Sequence, residues 1–128
     1  MFFLVLICVS GCGKQGEIIS GKVSFTDGTP LETGSVYFES DKNSFFGPIL
    51  AGGAYTVSKG NGRLLPGRYK VRLGGTSLTE EVMRGEEVID FKRTELVKKK
   101  YCSAETSGLE FNVKPDAPRT YDIVVERP

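Results

Sequence analysis

Residues 65–73, which read Leu-Pro-Gly-Arg-Tyr-Lys-Val-Arg-Leu (LPGRYKVRL), carry the clearest structural signal in this 128-residue chain. From Arg68 onward, basic and apolar side chains alternate at every position, which is the period-2 pattern of a β-strand with one buried face. The preceding Pro-Gly pair favours a sharp turn into that strand. The segment therefore predicts a strand that turns Tyr69, Val71 and Leu73 toward a core.

The same alternation continues outward from this segment in both directions. The other segments with this pattern are 19–26, 35–40, 54–58, 109–113 and 121–125. A short run at 49–51 and the strand at 54–58 flank Gly52-Gly53, a dipeptide that suits a hairpin turn. Sixteen glycines and six prolines add further turn signals. The sequence therefore predicts an all-β fold, an antiparallel sandwich of about seven strands.

The apolar side of each predicted strand gives a candidate core. We expect one core to contain Val23, Phe25, Val36, Phe38, Tyr69, Val71, Leu73, Leu109, Phe111, Val113, Ile123 and Val125.

Two stretches are less regular. Asp41 to Gly47 reads as a polar loop with Phe45-Phe46 at its tip, either exposed as a contact surface or folded back on the sandwich edge. Residues 77–80 have the spacing of a capping box and predict one or two helical turns that end at Gly85. Residues 88–91 predict a short additional strand.

The amino terminus indicates a secreted precursor. Residues 2–9 (FFLVLICV) form an apolar run, but a helix needs about 20 residues to cross a bilayer, so the run predicts a signal-peptide core. It ends at Val-Ser-Gly-Cys (9–12), which resembles the lipobox of bacterial lipoprotein precursors. We expect a signal peptide over 1–11, a lipidated tether over 12–17 beginning at Cys12, and a sandwich domain over 18–128. The alternative is a buried strand over 2–9 with Cys12 as an ordinary loop thiol.

Composition argues against several classes of function. The chain has no histidine, the commonest general base and neutral metal ligand, and its net charge is only +1. We therefore predict no enzymatic activity, no cofactor or metal, and no nucleic-acid partner. Cys102 has no histidine to activate it and is interpreted as a partly buried small residue.

Two charged groups are interpreted as solvated surface. One is a set of carboxylates without calcium-loop spacing, namely Glu80, Glu81, Glu86, Glu87 and Asp90. The other is Lys98, Lys99 and Lys100, a triplet too small to hold nucleic acid by itself. Contact with anionic lipid heads near the anchor is the functional alternative for this triplet.

Several short motifs together resemble a known family. These motifs are Gly-Lys-Val at 21–23, Asp-Gly-Thr-Pro-Leu at 27–31, Gly-Ser-Val-Tyr-Phe at 34–38, Pro-Gly-Arg-Tyr-Lys-Val at 66–71, and a closing segment over 95–113. Their order and spacing are similar to those of the carboxypeptidase regulatory-like, transthyretin-like domains found in lipoproteins of the planctomycete type. Val97-Lys98 stands where that family often has a proline.

The resemblance implies a transthyretin-like or Ig-like sandwich with a lipidated amino terminus and no reaction of its own. We therefore expect a lipoprotein of a bacterial cell envelope that acts as a non-catalytic binding or accessory module. Its expected partners are the membrane, reached through the lipid on Cys12, and another envelope protein or polymer. A structural spacer is the nearest alternative. A hydrolase is less favoured, because the hydrolase with a related fold depends on histidines that this chain lacks.

Overall fold

The computed structural model describes residues 18–58, 65–115 and 119–128. These residues form nine strands: β1 (Ile18–Phe25), β2 (Ser35–Glu39), β3 (Ser44–Pro48), β4 (Ala54–Ser58), β5 (Gly67–Gly74), β6 (Ser77–Arg84), β7 (Glu87–Glu95), β8 (Leu109–Val113) and β9 (Ile123–Val125). Their helices are two short 3-10 turns, Ala51–Gly53 and Lys99–Cys102. The predicted all-β fold is confirmed.

Seven of these strands build a two-sheet sandwich. One sheet has the order β4-β1-β9 and the other has the order β3-β2-β5-β8. Paired strands are antiparallel, except that β1 and β9 run parallel. This exception arises because the chain passes from β8 to the other sheet at the end where β1 begins, so β9 runs in the same direction as β1. The remaining two strands, β6 and β7, form a separate hairpin.

The core between the two sheets confirms the predicted register. Ten of the twelve predicted core side chains are buried, and the other two, Leu109 and Phe111, pack against them while partly exposed. Phe38 has no exposed surface, and its ring lies 5.6 Å from the ring of Phe45 and 6.4 Å from that of Tyr55 on the facing sheet. Phe38 thus contacts aromatic rings of both sheets.

The predicted loop over Asp41 to Gly47 is wrong. Residues 44–48 form β3, which pairs antiparallel with β2 and leaves only a short turn, closed by the Ser40 N–H donating to the Asn43 carbonyl (2.9 Å). Phe45 faces Phe38 across this pairing and is buried in the core. Consecutive strand residues face opposite sides, so Phe46 lies on the outer face.

The predicted helix over 77–85 is also wrong. These residues form β6, and the short strand expected at 88–91 extends to the nine-residue β7. Gly85 has φ +65° and Glu86 has no positive φ, which is the pattern of a type II′ hairpin turn between the two strands. Pairing across this turn overrides the local capping-box signal.

The region around Gly52-Gly53 differs partly from the prediction. Both glycines have positive φ, 78° and 82°, as a tight turn requires. However, residues 51–53 form a 3-10 helix, and Ile49 makes an isolated bridge to Tyr55 where a strand was predicted over 49–51. The predicted breaks at 59–62 and 115–119 lie wholly or mostly outside the described residues.

Tyr55 predicts a loss of stability at alkaline pH. Its side chain is buried and its hydroxyl donates to the Tyr121 carbonyl, and burial raises the pKa of this phenol above its ordinary value of 10.0. The unfolded chain therefore releases this proton before the folded protein does. The Tyr55 contribution to stability is present below pH 10 and is lost as pH rises above it, by at most about 1.4 kcal/mol per pH unit.

The matched variant is Tyr55→Phe, which keeps the ring and removes the ionisable group. Urea unfolding of both proteins at pH 8 and at pH 11 measures the effect. The variant should lose less stability between these two values than the original protein does. Equal losses would show that Tyr55 ionises with the same pKa in both states.

Candidate functional site

The β6–β7 hairpin exposes more large apolar side chains to solvent than any other part of the described chain. Of the eleven large apolar side chains exposed among the described residues, six lie on this hairpin: Leu78, Val82, Met83, Val88, Ile89 and Phe91. The most exposed of these is Phe91, at 62%. Single exposed apolar residues are normal, and the concentration of six of them on one element makes the hairpin the candidate interaction surface.

The strand pairing shows how the hairpin is built. Leu78 lies opposite Thr94, Glu80 opposite Lys92, and Glu81 opposite Phe91, with a register irregularity after Val82. The Glu80–Lys92 pair sets opposite charges side by side, which stabilises an antiparallel ladder. Residues opposite each other share a face, so each face mixes apolar and charged side chains.

The carboxylates predicted as solvated surface all lie on this hairpin and are exposed. Over residues 77–95 there are six acidic and three basic side chains, which gives the hairpin a net charge of −3. Within the described residues, no group of three or more Cys, Asp or Glu side chains is placed to hold a metal ion.

The hairpin leaves the sandwich at the end opposite to the start of β1. Ile18, the first residue of β1, pairs with Ser58, the last residue of β4. Five residues further along β1, the Val23 carbonyl lies beside Gly53, which precedes β4. At that same end, the Ile49 N–H donates to the Gly34 carbonyl (2.9 Å), and Gly34 lies against Gly74, the last residue of β5. Ile18 follows the predicted tether and β6 follows Gly74 after two residues. The start of β1 and the hairpin therefore lie at opposite ends of the sandwich.

Of the two aromatic residues predicted as a contact surface, Phe46 alone is exposed. Its side chain is 60% exposed, whereas Phe45 is a core residue. The Phe46 ring stacks on Tyr37 at 5.1 Å between centroids, and the Arg72 guanidinium lies 4.0 Å from the Tyr37 ring centre. Phe46 thus lies on the flat outer side of the sandwich rather than at a loop tip.

The lysine triplet is partly engaged within the protein. The ammonium groups of Lys98 and Lys100 lie 3.1 Å and 3.6 Å from the Glu126 carboxylate, and the hydrogen bond from Lys98 lowers the pKa of that carboxyl. Lys99 is exposed at the start of the 3-10 helix. The triplet is therefore not a free basic patch of three charges.

An open cleft of about 540 Å³ lies near the β2–β3 turn. Its charged lining carries both signs: Glu39, Asp41, Glu105, Lys42, Arg68 and Lys70. The hydroxyl of Ser40, a potential nucleophile in this cleft, accepts from the Lys42 and Asn43 N–H groups and donates to the Asn43 carbonyl. These contacts hold the turn together, and no general base is paired with Ser40 among the described residues.

Cys102 is half-buried, as predicted for a small structural residue. Its sulfur lies 3.8 Å from the Thr76 hydroxyl, beside the segment that leads into the hairpin. Neither described helix has the length and apolar character needed to cross a bilayer. Cys12 lies outside the described residues.

From the sequence alone, the hairpin residues were predicted as charged surface, a short helix over 77–85 and a short strand over 88–91, and not as a hairpin. The signal that would have found the hairpin is Gly85-Glu86 between two runs of similar length that mix apolar and charged residues. Comparison of the chain with protein-family models, curated proteins and solved structures finds no match.

Proposed function

We propose that this chain is a lipid-anchored β-sandwich lipoprotein of a bacterial cell envelope that acts as a non-catalytic binding module. The lipid on Cys12 holds one end of the domain at the membrane, and the β6–β7 hairpin at the other end contacts a partner. The proposal includes membership of the carboxypeptidase regulatory-like, transthyretin-like group that the sequence motifs resemble.

One observation carries the binding role. The six exposed apolar side chains of the hairpin lie at the end of the sandwich farthest from the start of β1, where the tether joins. A domain that served only as a spacer would gain nothing from exposing this apolar surface to water, because each such side chain is more stable when buried. In the proposed orientation, the contact surface faces away from the membrane.

The cleft supports a non-catalytic role. Its one described serine is held in a turn by three hydrogen bonds, and its charged groups are of mixed sign. A nucleophile needs a base beside it, and the chain contains no histidine to serve as one.

Photo-crosslinking in intact cells tests the proposal. The full-length chain carries benzoyl-phenylalanine either in place of Phe91 or in place of Phe46. Position 46 is the matched control for position 91, because Phe91 is 62% exposed and Phe46 is 60% exposed. We expect a discrete adduct from position 91 and little or none from position 46. No adduct from position 91, or equal adducts from both positions, would contradict a binding role for the hairpin and favour a spacer.

A further inference from the structure

We propose that the partner of the hairpin is a second copy of this chain, joined edge to edge through β7 in an antiparallel, two-fold symmetric sheet. This inference rests on the proposed binding role and names its partner. The result is a four-stranded sheet in the order β6-β7-β7-β6, with one sandwich at each end.

The first argument concerns the stability of the hairpin. An isolated two-stranded hairpin is at best marginally stable in water, and three or more strands with an apolar face are needed for independent stability. Among the described residues, β6 and β7 form their own two-stranded sheet, and most of their side chains are exposed. Joining two hairpins makes four strands and removes two open edges.

The second argument concerns charge complementarity along β7. If Phe91 is placed opposite Phe91 of the second copy, Asp90 of each chain lies opposite Lys92 of the other. The symmetric pairing thus forms two ion pairs around a central aromatic pair, and both kinds of cross-strand contact are favourable. At the two ends of the strand the same register sets Glu87 opposite Glu95 of the other copy, where the Glu95 carboxylate is already paired with the Arg93 guanidinium of its own chain at 2.8 Å. This register is set by three consecutive residues, Asp90, Phe91 and Lys92.

When β6 is paired with its own copy over its full length, Ser77 to Arg84, the pairing does not have this property. The centre of β6 carries Glu80 and Glu81 side by side. An antiparallel pairing of β6 with its own copy at this point places carboxylates opposite or diagonal to carboxylates, which is destabilising. The pairing edge is therefore β7.

The backbone of Phe91 fits the same pairing. Its N–H donates to Oδ1 of Asp90 (2.8 Å), a carboxylate of its own strand. In the dimer this carboxylate moves to Lys92 of the second copy, and the Phe91 N–H donates to the facing Phe91 carbonyl. The Asp90 carboxylate and the Phe91 N–H thus each replace a contact within one strand by a contact across the interface.

Disulfide trapping tests the partner and its register. Full-length chains carry Cys102→Ser together with Phe91→Cys, and cells contain two copies of the chain with different tags. Paired strand residues have Cα atoms about 4.5–5.5 Å apart, within the range of a disulfide, so position 91 should crosslink to itself. Mild oxidation of the membranes should give a product of twice the mass that carries both tags.

Two control positions separate pairing through β7 from random collision. Phe46→Cys is equally exposed but lies on the sandwich. Val82→Cys lies on β6, and its copy is three strand spacings away, about 14 Å. Neither should give the doubly tagged product. Equal trapping at all three positions would overturn the β7 register.

Charge reversal provides a readout that does not depend on cysteine. Asp90→Lys or Lys92→Asp alone sets two like-charge pairs across the interface and should weaken self-association of the detergent-solubilised lipoprotein by about tenfold or more. The double variant restores both pairs and should recover association. A failure of the double variant to recover, or no effect of either single variant, would contradict the proposed pairing.

The crosslinking results also separate this inference from the proposed function. A doubly tagged product from position 91 supports both. An adduct from position 91 that joins the chain to a different protein, without the doubly tagged product, overturns the self-pairing and leaves the binding role standing. The absence of any adduct from position 91 overturns both.

Discussion

Replacing Phe38 by alanine is expected to lower the free energy of unfolding by about 3–5 kcal/mol. Phe38 has no exposed surface and packs against the rings of Phe45 and Tyr55, and its ring centroid lies 6.2 Å from that of Phe111 in an edge-to-face pair. Truncation leaves a cavity that both sheets border, and strands fixed by their ladders relax only partly to fill it. Since whole domains are stable by roughly 5–15 kcal/mol, the variant should be close to unfolding.

The control for this substitution is Phe46→Ala. Phe46 lies on β3 opposite Tyr37, one residue from the buried Phe45, but its side chain is 60% exposed. Its removal should change stability by about 1 kcal/mol or less, since it loses only an exposed ring contact. Because the chain contains no tryptophan, urea unfolding is best followed by far-ultraviolet circular dichroism. Similar losses for both variants would contradict the two-layer core.

The second large effect is expected at the membrane. Replacing Cys12 by alanine removes the thiol that the lipobox resemblance identifies as the lipid acceptor. The chain should then lose its acyl groups, and either remain as an unprocessed precursor or leave the membrane fraction. Each buried CH₂ of a lipid chain contributes about 0.8 kcal/mol, and stable anchoring needs two such signals, which a diacylglycerol with a further amide-linked chain supplies.

Nothing in the described surface replaces that anchor. The chain has a net charge of +1, and the hairpin, which carries six of the eleven exposed large apolar side chains of the described residues, has a net charge of −3 that anionic lipids repel. Fractionation of cells that express the original chain or Cys12→Ala measures the difference. If the processed variant still sediments with membranes, residues 2–9 must be considered part of the fold instead.

The sandwich strands could be predicted from the sequence because their pattern is local. In β5, for example, each basic residue is followed by an apolar one, and this alternation alone gives both the strand and its buried face. The predicted core was correct because a strand with one solvated side has only one register that buries its apolar residues.

Other core residues could not be predicted in this way. Val97 and Tyr101 are buried, but they lie in a charged segment without alternation, where Val97 precedes the 3-10 helix Lys99–Cys102 and Tyr101 lies within it. At Phe45-Phe46 the sequence shows two adjacent aromatic residues and does not say which one faces inward. The register between β2 and β3 decides it, because it sets Phe45 opposite the buried Phe38, and the identity of two adjacent phenylalanines does not reveal that register.

The candidate site was missed for a related reason. Residues 77–80 favour a helix cap locally, and the competing strand depends on pairing with residues beyond Gly85, so local propensity and long-range pairing disagree. Such disagreements are expected at functional surfaces, where exposure and apolar character coexist. The hairpin is therefore defined by the pairing of β6 with β7, which neither segment signals by itself.

The measurement that tests the central claim most directly is mass spectrometry of the amino-terminal peptide of the protein isolated from membranes. The account predicts a peptide that begins at Cys12, with a diacylglycerol on its sulfur and an acyl chain on its amino group. A peptide that begins at Met1, or one that contains Cys12 without lipid, would contradict the account of a lipid-anchored envelope protein.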